Sequence, residues 1–306
     1  MTFKVSVIIL CHNGVDLTLE CLASLRQQDY PDLQIIVVDN ASQDNTIEAV
    51  HHAYPEVEIV ATGQNLGYAA GNNVGMTAAL QHAADLVFLV NNDTRLESGC
   101  ISTLVRGLEA RPNIGMIGPM VYTWDNESII SSAGGQVDWQ YGDAINVGMG
   151  EVDHGKYPAR SVDFINGCGL MVTRAALEQA GMLDPKFFMY WEETDWCQRV
   201  RRAGFEIRFE PAARMFHKAS IVVEELGPTT LYYMTRNRFL FFARHTPLAR
   251  KPLTLARVLH GATRGFLLHR RAGRLTHANA SKIAILHAVQ QHWGRTDSSL
   301  WMGVPL

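Results

Sequence analysis

The stretch Leu86-Val87-Phe88-Leu89-Val90-Asn91-Asn92-Asp93-Thr94 decides the fold. Five apolar residues break off into two carboxamides and a carboxylate, with no glycine-rich turn between them. A short continuous apolar run of this kind reads as a strand buried on both faces, as in parallel α/β sheets. Its polar end then falls at the carboxyl edge of the sheet, where open sheets bind their ligands. An acid at that edge can hold a divalent cation against a diphosphate. The competing reading is an Asx-rich turn leaving the strand.

Outward from this segment the first half of the chain alternates strand and helix patterns. Strands are expected at 4–11, 33–39, 56–61 and 85–91, and helices at 14–28, 43–53 and 68–83. Helix starts are marked by Asp16 or Thr18 and by Ser42. Repeated βα units with continuous apolar strands imply a doubly wound, mainly parallel sheet. A helix at 97–110, a strand at 114–121, helices at 174–181 and 192–203 and a strand at 205–210 follow. Between 125 and 162 the periodicity fades into glycine-marked turns, consistent with a short hairpin or a loop excursion. From 229 onward the pattern is helical, with breaks expected at Pro247, Pro252 and near Gly273.

Composition sets limits on the function. A chain of 306 residues, 47% hydrophobic and 19% charged, is globular and holds one large domain or a domain with an appendage. Its five cysteines form no C-x-x-C pair, which fits reduced thiols in a cytosolic protein. No basic leader precedes the first strand, and no apolar run approaches the roughly 18 residues that span a bilayer. Charge is distributed unevenly. Residues 227–306 carry twelve basic residues against one acid, a net of +11, whereas residues 1–226 carry fifteen against twenty-nine, a net of −14. That split places a boundary near Gly227-Pro228, with a domain at 1–226 and a basic helical extension at 227–306.

Four further segments can carry chemistry. Val37-Val38-Asp39-Asn40-Ala41-Ser42 is a second strand ending in a carboxylate; Asp39 can accept from a base N–H or ribose hydroxyls, or simply close an Asx turn. Asn65 to Gly75 spaces three glycines four apart, Gly67, Gly71 and Gly75. It lacks the G-x-G-x-x-G spacing and following acid of a dinucleotide site, and serves either ligand approach or tight helix–sheet packing. Phe187 to Cys197 sets Glu192, Glu193 and Asp195 among five aromatic residues. Acids suit a helix N-terminus, but among aromatic rings they also lose water and become better proton acceptors. Gly167 to Val172 is an apolar strand entered through two glycines. His217, beyond an expected turn at Glu210-Pro211, is either structural or a ligand completing an oxygen-rich metal site.

Taken together and in order, these segments resemble the inverting nucleotide-sugar glycosyltransferases of family 2, with the GT-A fold, and within them the bacterial rhamnosyltransferase-like branch. The resemblance runs from Val5 to about Ser220 and rests on Ser6-Val7-Ile8-Ile9 with His12-Asn13, Val38 to Ser42, Asn65 to Gly75, Asn91-Asn92-Asp93, Phe188 to Cys197 with Arg199, and His217. It implies that Asp39 binds the nucleobase or ribose with His12 and Asn13 beside it, and that Asn65 and Gly71 line the nucleotide pocket. Asn92 and Asp93 would occupy the family's D-x-D site, with Asp93 on Mg²⁺ or Mn²⁺ and His217 as a further ligand. Glu193 falls where the family carries its general base, an Asp; either Glu193 or Glu192 would take the proton, with Asp195 orienting the acceptor.

The donor so implied is a dTDP- or UDP-sugar, with dTDP-L-rhamnose one candidate. The acceptor is a saccharide of the lipid-linked kind used in cell-surface polysaccharide synthesis. A nucleotidyltransferase shares the layered architecture but would place cations in the loop after the first strand, where Cys11-His12-Asn13-Gly14 has none. A non-catalytic scaffold with a degenerate pocket would have no need to keep Asp39, Asp93 and the Glu192-Glu193 pair together. In the tail, Arg236, Arg238, Arg257, Arg264, Arg270, Arg271 and Arg274 interleave with aromatic and aliphatic residues. This is the pattern of a helix lying on an anionic membrane surface, which would make the protein cytoplasmic and peripheral on the plasma membrane. The alternatives are a docked helical appendage, or an Arg236 turned inward to the donor phosphates. No nucleic-acid motif accompanies the charge, so no nucleic-acid partner is expected.

Overall fold

The computed structural model describes residues 2–218 and 226–302. Its core is one mixed sheet. Four parallel strands form its first half: β1 (Val5–Cys11), β2 (Leu33–Asp39), β3 (Glu58–Ala61) and β4 (Leu86–Asn91), joined by helices α1 (Val15–Arg26), α2 (Thr46–Ala53) and α3 (Gly67–Gln81). The strands lie in the order β3-β2-β1-β4. The chain therefore winds outward from β1 to β3 and returns to the other side of β1 as β4. That reversal opens a crevice beyond Cys11 and Asn91, the position where doubly wound sheets bind ligands.

The second half begins with β5 (Thr94–Leu96), α4 (Cys100–Glu109) and β6 (Ile114–Thr123). Short pieces follow: β7 (Ile130–Ser132), the hairpin β8 (Gly135–Asp138) and β9 (Asp143–Asn146), and β10 (Arg160–Ser161). Next come β11 (Gly169–Thr173), α5 (Arg174–Ala180), α6 (Glu192–Arg202) and β12 (Glu206–His217). β11 is antiparallel to both β4 and β6, while β12 runs parallel to β6 and pairs antiparallel with β5. The sheet is thus parallel in its first half and mixed beyond it.

Alternation along the strands supplies two core layers. Ile8, Ile36, Val38 and Leu89 point to the layer that holds Met76 and Ala79 of α3 and Trp196, Cys197 and Val200 of α6. Val7, Ile9, Val37, Phe88 and Val90 point to the layer filled by Cys21, Leu22 and Leu25 of α1 and Ile101 and Leu104 of α4. Gly75 has no alternative residue: a Cβ there would stand 2.4 Å from Ile8 and 2.8 Å from Val38. All five cysteines are buried and free.

Several boundaries differ from the sequence reading. Ser42 does not start a helix; α2 begins at Thr46, whose N–H donates to Asp44 Oδ1 at 3.2 Å, and the Ser42 hydroxyl accepts from Asn13 N instead. No turn forms at Glu210-Pro211. The pairing register shifts between Glu210 and Arg214, so a bulge absorbs the proline and β12 runs on to His217. Pro252 does not break the tail either, because it sits in the first turn of a helix, where a missing N–H costs nothing.

The tail forms α7 (Pro228–His245), α8 (Lys251–Arg271), α9 (Leu275–Val289) and the single turn α10 (Ser299–Met302). α7 is part of the main core: Leu240, Phe241 and Phe242 share one hydrophobic cluster with Ile8 and Leu89. Phe241 stacks on Trp139 at 5.8 Å and packs against Trp191 at 5.2 Å. α8, in contrast, buries only Thr254 and Val258. Among the described residues no helix is long and apolar enough to cross a membrane. Phe241→Ala is expected to lower unfolding stability by about 3–5 kcal/mol. Urea unfolding followed by tryptophan fluorescence measures it, and a loss of only a few tenths would show α7 to be a detachable appendage.

Candidate active site

Three loops meet at the carboxyl edge of the parallel half. Asn13, after β1, and Ala41, after β2, both take left-handed backbone conformations (φ 65° and 66°), an arrangement that clusters at functional sites in non-glycine residues. His12 Nδ1 lies 3.0 Å from Asn40 O, and Asn13 Oδ1 accepts from Gln43 N at 2.7 Å, so β1 and β2 end in one braced unit. Asp39 is buried at the tip of β2. Its carboxylate accepts from Ser42 N at 3.2 and 3.3 Å, which makes the Asx turn, and retains lone pairs for a further donor.

Asn40 is the residue in this region that the sequence pattern did not single out. Its carboxamide donates to Asn65 Oδ1 and Gly67 O and accepts from Leu66 N at 2.8 Å, stapling the loop that opens α3. Asn65 in turn accepts from Gly67 N, so its carbonyl oxygen is spent on the loop. Gly71 does not line open space. A Cβ there would meet Leu10 at 2.6 Å, so its role in the fold is close packing of α3 on β1.

At the tip of β4, Asn92 Nδ2 donates to Thr18 Oγ1 and Asn13 O, fixing the turn against α1. Asp93 is drawn to the end of β12 by the short strand β5, which sets Thr94 opposite His217. Asp93 Oδ1 lies 3.1 Å from His217 Nε2, a charge pair that lacks the alignment of a hydrogen bond and leaves that oxygen without an aligned donor. Burial works against the charged imidazole, but Cys168 and Asp93 outweigh it and lift the His217 pKa to about 10. Burial likewise opposes the Asp93 carboxylate, and His217 holds its pKa below the usual range.

The third loop leads into α6. Glu192 is 4% exposed and its Oε2 has no hydrogen-bond partner, while Glu193 is half-buried and accepts from Thr194 Oγ1 at 3.2 Å. Burial raises the pKa of both, that of Glu192 strongly, and Glu193 beside it adds to the effect. Tyr68, on the first turn of α3, donates to Gly167 O at 2.5 Å, and its hydroxyl feels Glu192, Glu193, Cys168 and Asp93 at once. These five side chains therefore occupy one neighbourhood, although they come from four separate stretches of chain. No cluster of three or more His, Cys, Asp or Glu that could hold a metal occurs among the described residues.

Two expected site residues have other work. Asp195 is fully buried, with His245 Nε2 at 2.7 Å and Arg199 and Arg244 each at 2.8 Å. Burial alone would raise its pKa, but these partners hold it low, so it is a poor proton acceptor and neither base nor acceptor ligand by geometry. Arg236 is 0% exposed, and its guanidinium is occupied by Tyr232, Asn237, Thr296 and the carbonyls of Lys186, Phe187 and Gly294. It has no reach to a donor phosphate.

An α/β sheet with a switch-point crevice, an Asp–His pair on one wall and two desolvated glutamates on another defines a group transferase acting on a nucleotide-linked substrate. Residues 6–178 match the profile of Glycosyl transferase family 2, and the chain belongs to that family. The N-acetylglucosaminyl-diphospho-decaprenol L-rhamnosyltransferase of Mycobacterium tuberculosis is 28% identical over 257 residues, 76% of this chain and 82% of the relative. The dTDP-rhamnosyl transferase RfbF of Shigella flexneri is 25% identical over 81% and 83% of the two chains. Among solved structures, a mannosyltransferase from Pyrobaculum calidifontis in complex with GDP-Man and Mn²⁺ superposes with a TM-score of 0.60 at 17% identity, covering 95% of this chain and 88% of that one. S. aureus TarS residues 1–349 with UDP-GlcNAc superpose at 0.61 and 16%, over 94% and 81%. The GT-A architecture is thereby shown. Asp195→Asn is expected to cost about 3 kcal/mol by stranding two arginines and His245, with turnover per folded molecule kept. Urea unfolding beside active-site titration checks this; a stable but inactive variant would return Asp195 to the chemistry.

Proposed function

We propose that the protein transfers a rhamnose-type hexose from a dTDP-sugar, or a UDP-sugar, to a hydroxyl of a lipid-linked saccharide, with inversion at the anomeric carbon. The observation that carries the reading is the pair of desolvated glutamates facing the same neighbourhood as Asp93 and His217. Glu193, the more accessible of the two, takes the proton of the acceptor hydroxyl. The acceptor oxygen forms its bond to the anomeric carbon as the bond to the diphosphate oxygen breaks on the opposite face, and the electron pair leaves with the nucleoside diphosphate. One direct displacement inverts the configuration and needs no protein nucleophile. Asp39 receives the base or ribose, in the unit braced by His12, Asn13 and Asn40. Glu192, deeper and without a cation beside it, has its pKa raised strongly by burial and further by Glu193.

Asp93 Oδ1, which has no aligned donor, would supply one ligand of an Mg²⁺ or Mn²⁺ site, and His217 a second once a cation displaces its proton, the remaining positions falling to diphosphate oxygens and water. A cation held there would neutralise the charge that develops on the leaving diphosphate.

A second observation concerns the acceptor. α8 carries Leu253, Leu259, Leu267 and Leu268 exposed beside Arg264, Arg270 and Arg271, and α9 presents Leu275, Lys282, Leu286 and Val289 along one stripe. Neither helix contains an acid. We infer a peripheral contact with the cytoplasmic face of an anionic membrane, where a lipid-linked acceptor is anchored.

Two measurements test these readings. Glu193→Gln is expected to keep dTDP- or UDP-dependent thermal stabilisation and lose transfer, while Asp93→Ala loses the part of that stabilisation that needs Mn²⁺. In the wild type the rate falls as pH drops through a Glu193 pKa raised by burial, so the acid limb of kcat/KM lies above the ordinary glutamate value of about 4.3. An acid limb at that ordinary value, or full activity in Glu193→Gln, sinks the base assignment. Sedimentation with phosphatidylglycerol vesicles should exceed that with phosphatidylcholine vesicles and weaken towards roughly 1 M salt, where the Debye length is about 3 Å. Equal binding to both would overturn the membrane face.

A further inference from the structure

The turn that delivers Glu192 and Glu193 is strained, and α7 holds it in that state. Phe188, Tyr190 and Trp191 have φ of 65°, 67° and 75°, in the left-handed region that bulky side chains rarely enter. Trp191 is also the residue immediately before α6, so the strain runs directly into the first turn with the two acids. Asn237 Nδ2 donates to the carbonyls of Phe187, Met189 and Tyr190 at 2.8, 2.8 and 2.9 Å. Arg236 Nη2 donates to Lys186 O and Phe187 O, and Asn237 Oδ1 accepts from Arg236 Nε and Nη2. Every carbonyl from Lys186 to Tyr190 but one is thereby fastened to two consecutive residues of α7. The exception, Phe188 O, accepts from Ala69 N of α3 at 3.2 Å, and Gly67 is bare because a Cβ would stand 2.4 Å from the Phe188 ring.

Arg236 makes no ion pair among the described residues. Its charge is met by carbonyls, hydroxyls and the rings of Tyr232 and Tyr233, whose centroids lie 5.2 and 4.9 Å away. A fully buried cation without a carboxylate is a costly way to fill space, and an apolar side chain of that volume would serve stability as well. What it provides is direction: its fork fixes the side-chain carbonyl of Asn237, which leaves the Asn237 amide aimed at the turn.

We propose that Arg236 and Asn237 are positioning residues for the transfer, holding the 186–191 turn so that Glu193 meets the acceptor hydroxyl in line with the nucleotide docked at the Asn40-braced loop. The proposal rests on Glu193 as the base. It also gives the extension a part in catalysis that involves no contact with the donor.

The test compares full-length wild type, Asn237→Ala and Glu193→Gln for kcat, donor KM, dTDP and UDP dissociation constants, and hydrogen exchange at residues 186–191. Asn237→Ala should lower kcat about 100-fold with nucleotide affinity within about twofold, because misplacement rather than lost binding is the cost. Exchange across 186–191 should quicken. Arg236→Lys, which keeps the cation but not the fork, should fall between the two and carries the test if Asn237→Ala does not fold. Wild-type kcat in Asn237→Ala, or in Arg236→Lys where that variant must stand in, overturns the proposal, as does a loss that appears wholly in nucleotide affinity. Full activity in Glu193→Gln would remove the base reading and this proposal together, an outcome distinct from failure of the clamp alone.

Discussion

Everything at the site depends on β1 having a parallel neighbour on each side. Val5 to Cys11 pair with Leu33 to Asp39 in one direction and Val5 to Leu10 with Leu86 to Asn91 in the other. The connections leaving the carboxyl ends of β1 and β4 both turn into the layer of α1 and α4, where Asn92 Nδ2 ties them together through Thr18 Oγ1 and Asn13 O. Two strand tips that end in polar residues, Cys11-His12-Asn13 and Asn91-Asn92-Asp93, then face one crevice because nothing else fits there. The antiparallel β11 completes the wall: pairing Gly169 with Val90 brings Cys168 and Gly167 up beside Asp93 and Tyr68.

Within that crevice the acids are sorted by what surrounds them. Asp93, half-buried against His217, and Asp195, fully buried among Arg199, Arg244 and His245, are both held ionised by cationic partners. Glu192 is buried and Glu193 half-buried with no cation near, and their pKa values move the opposite way. Environments that push carboxylates apart in this manner separate charge-holding groups from proton-transferring ones. The three acids of the first turn of α6 thus divide by the partners each meets: Asp195 has Arg199, Arg244 and His245, whereas the two glutamates have no cation.

The parallel half was legible because its strands are continuous apolar runs with polar ends, and that pattern depends only on burial of both faces. The same logic located Asp39, Asp93 and the Glu192-Glu193 pair, each at the end of an element. What escaped was set by pairing across long separations. β5 is three residues long and shows no period, yet it alone draws Asp93 to His217. Pro211 looked like a stop because a proline normally removes a ladder bond, and a bulge removed that objection. Asn40, Tyr68 and Asn237 act through hydrogen bonds to backbone atoms 26 to 99 residues away, and no local spacing encodes that. The family resemblance offered Arg236 as one that turns inward to the donor phosphate; its burial, invisible in one dimension, gives it six acceptor groups inside the protein instead.

The charge split near Gly227 acquires a physical meaning from the way the tail packs. α7 has given its cations to the interior: Arg236 to carbonyls, Arg238 to Asp143, and Arg244 to Asp184 and Asp195. It is in effect a catalytic-domain helix whose basic residues complement acids and carbonyls elsewhere. α8 and α9 keep theirs outside, interleaved with leucines that no part of the described chain covers. An arginine in this chain therefore cannot be interpreted by its presence in a basic tail. Those on α7 are counter-charges for groups inside the protein, whereas Arg264, Arg270 and Arg271 on α8 stay exposed. The join between the two at Thr246-Pro247 is where the tail changes from interior packing to an exposed basic and apolar face.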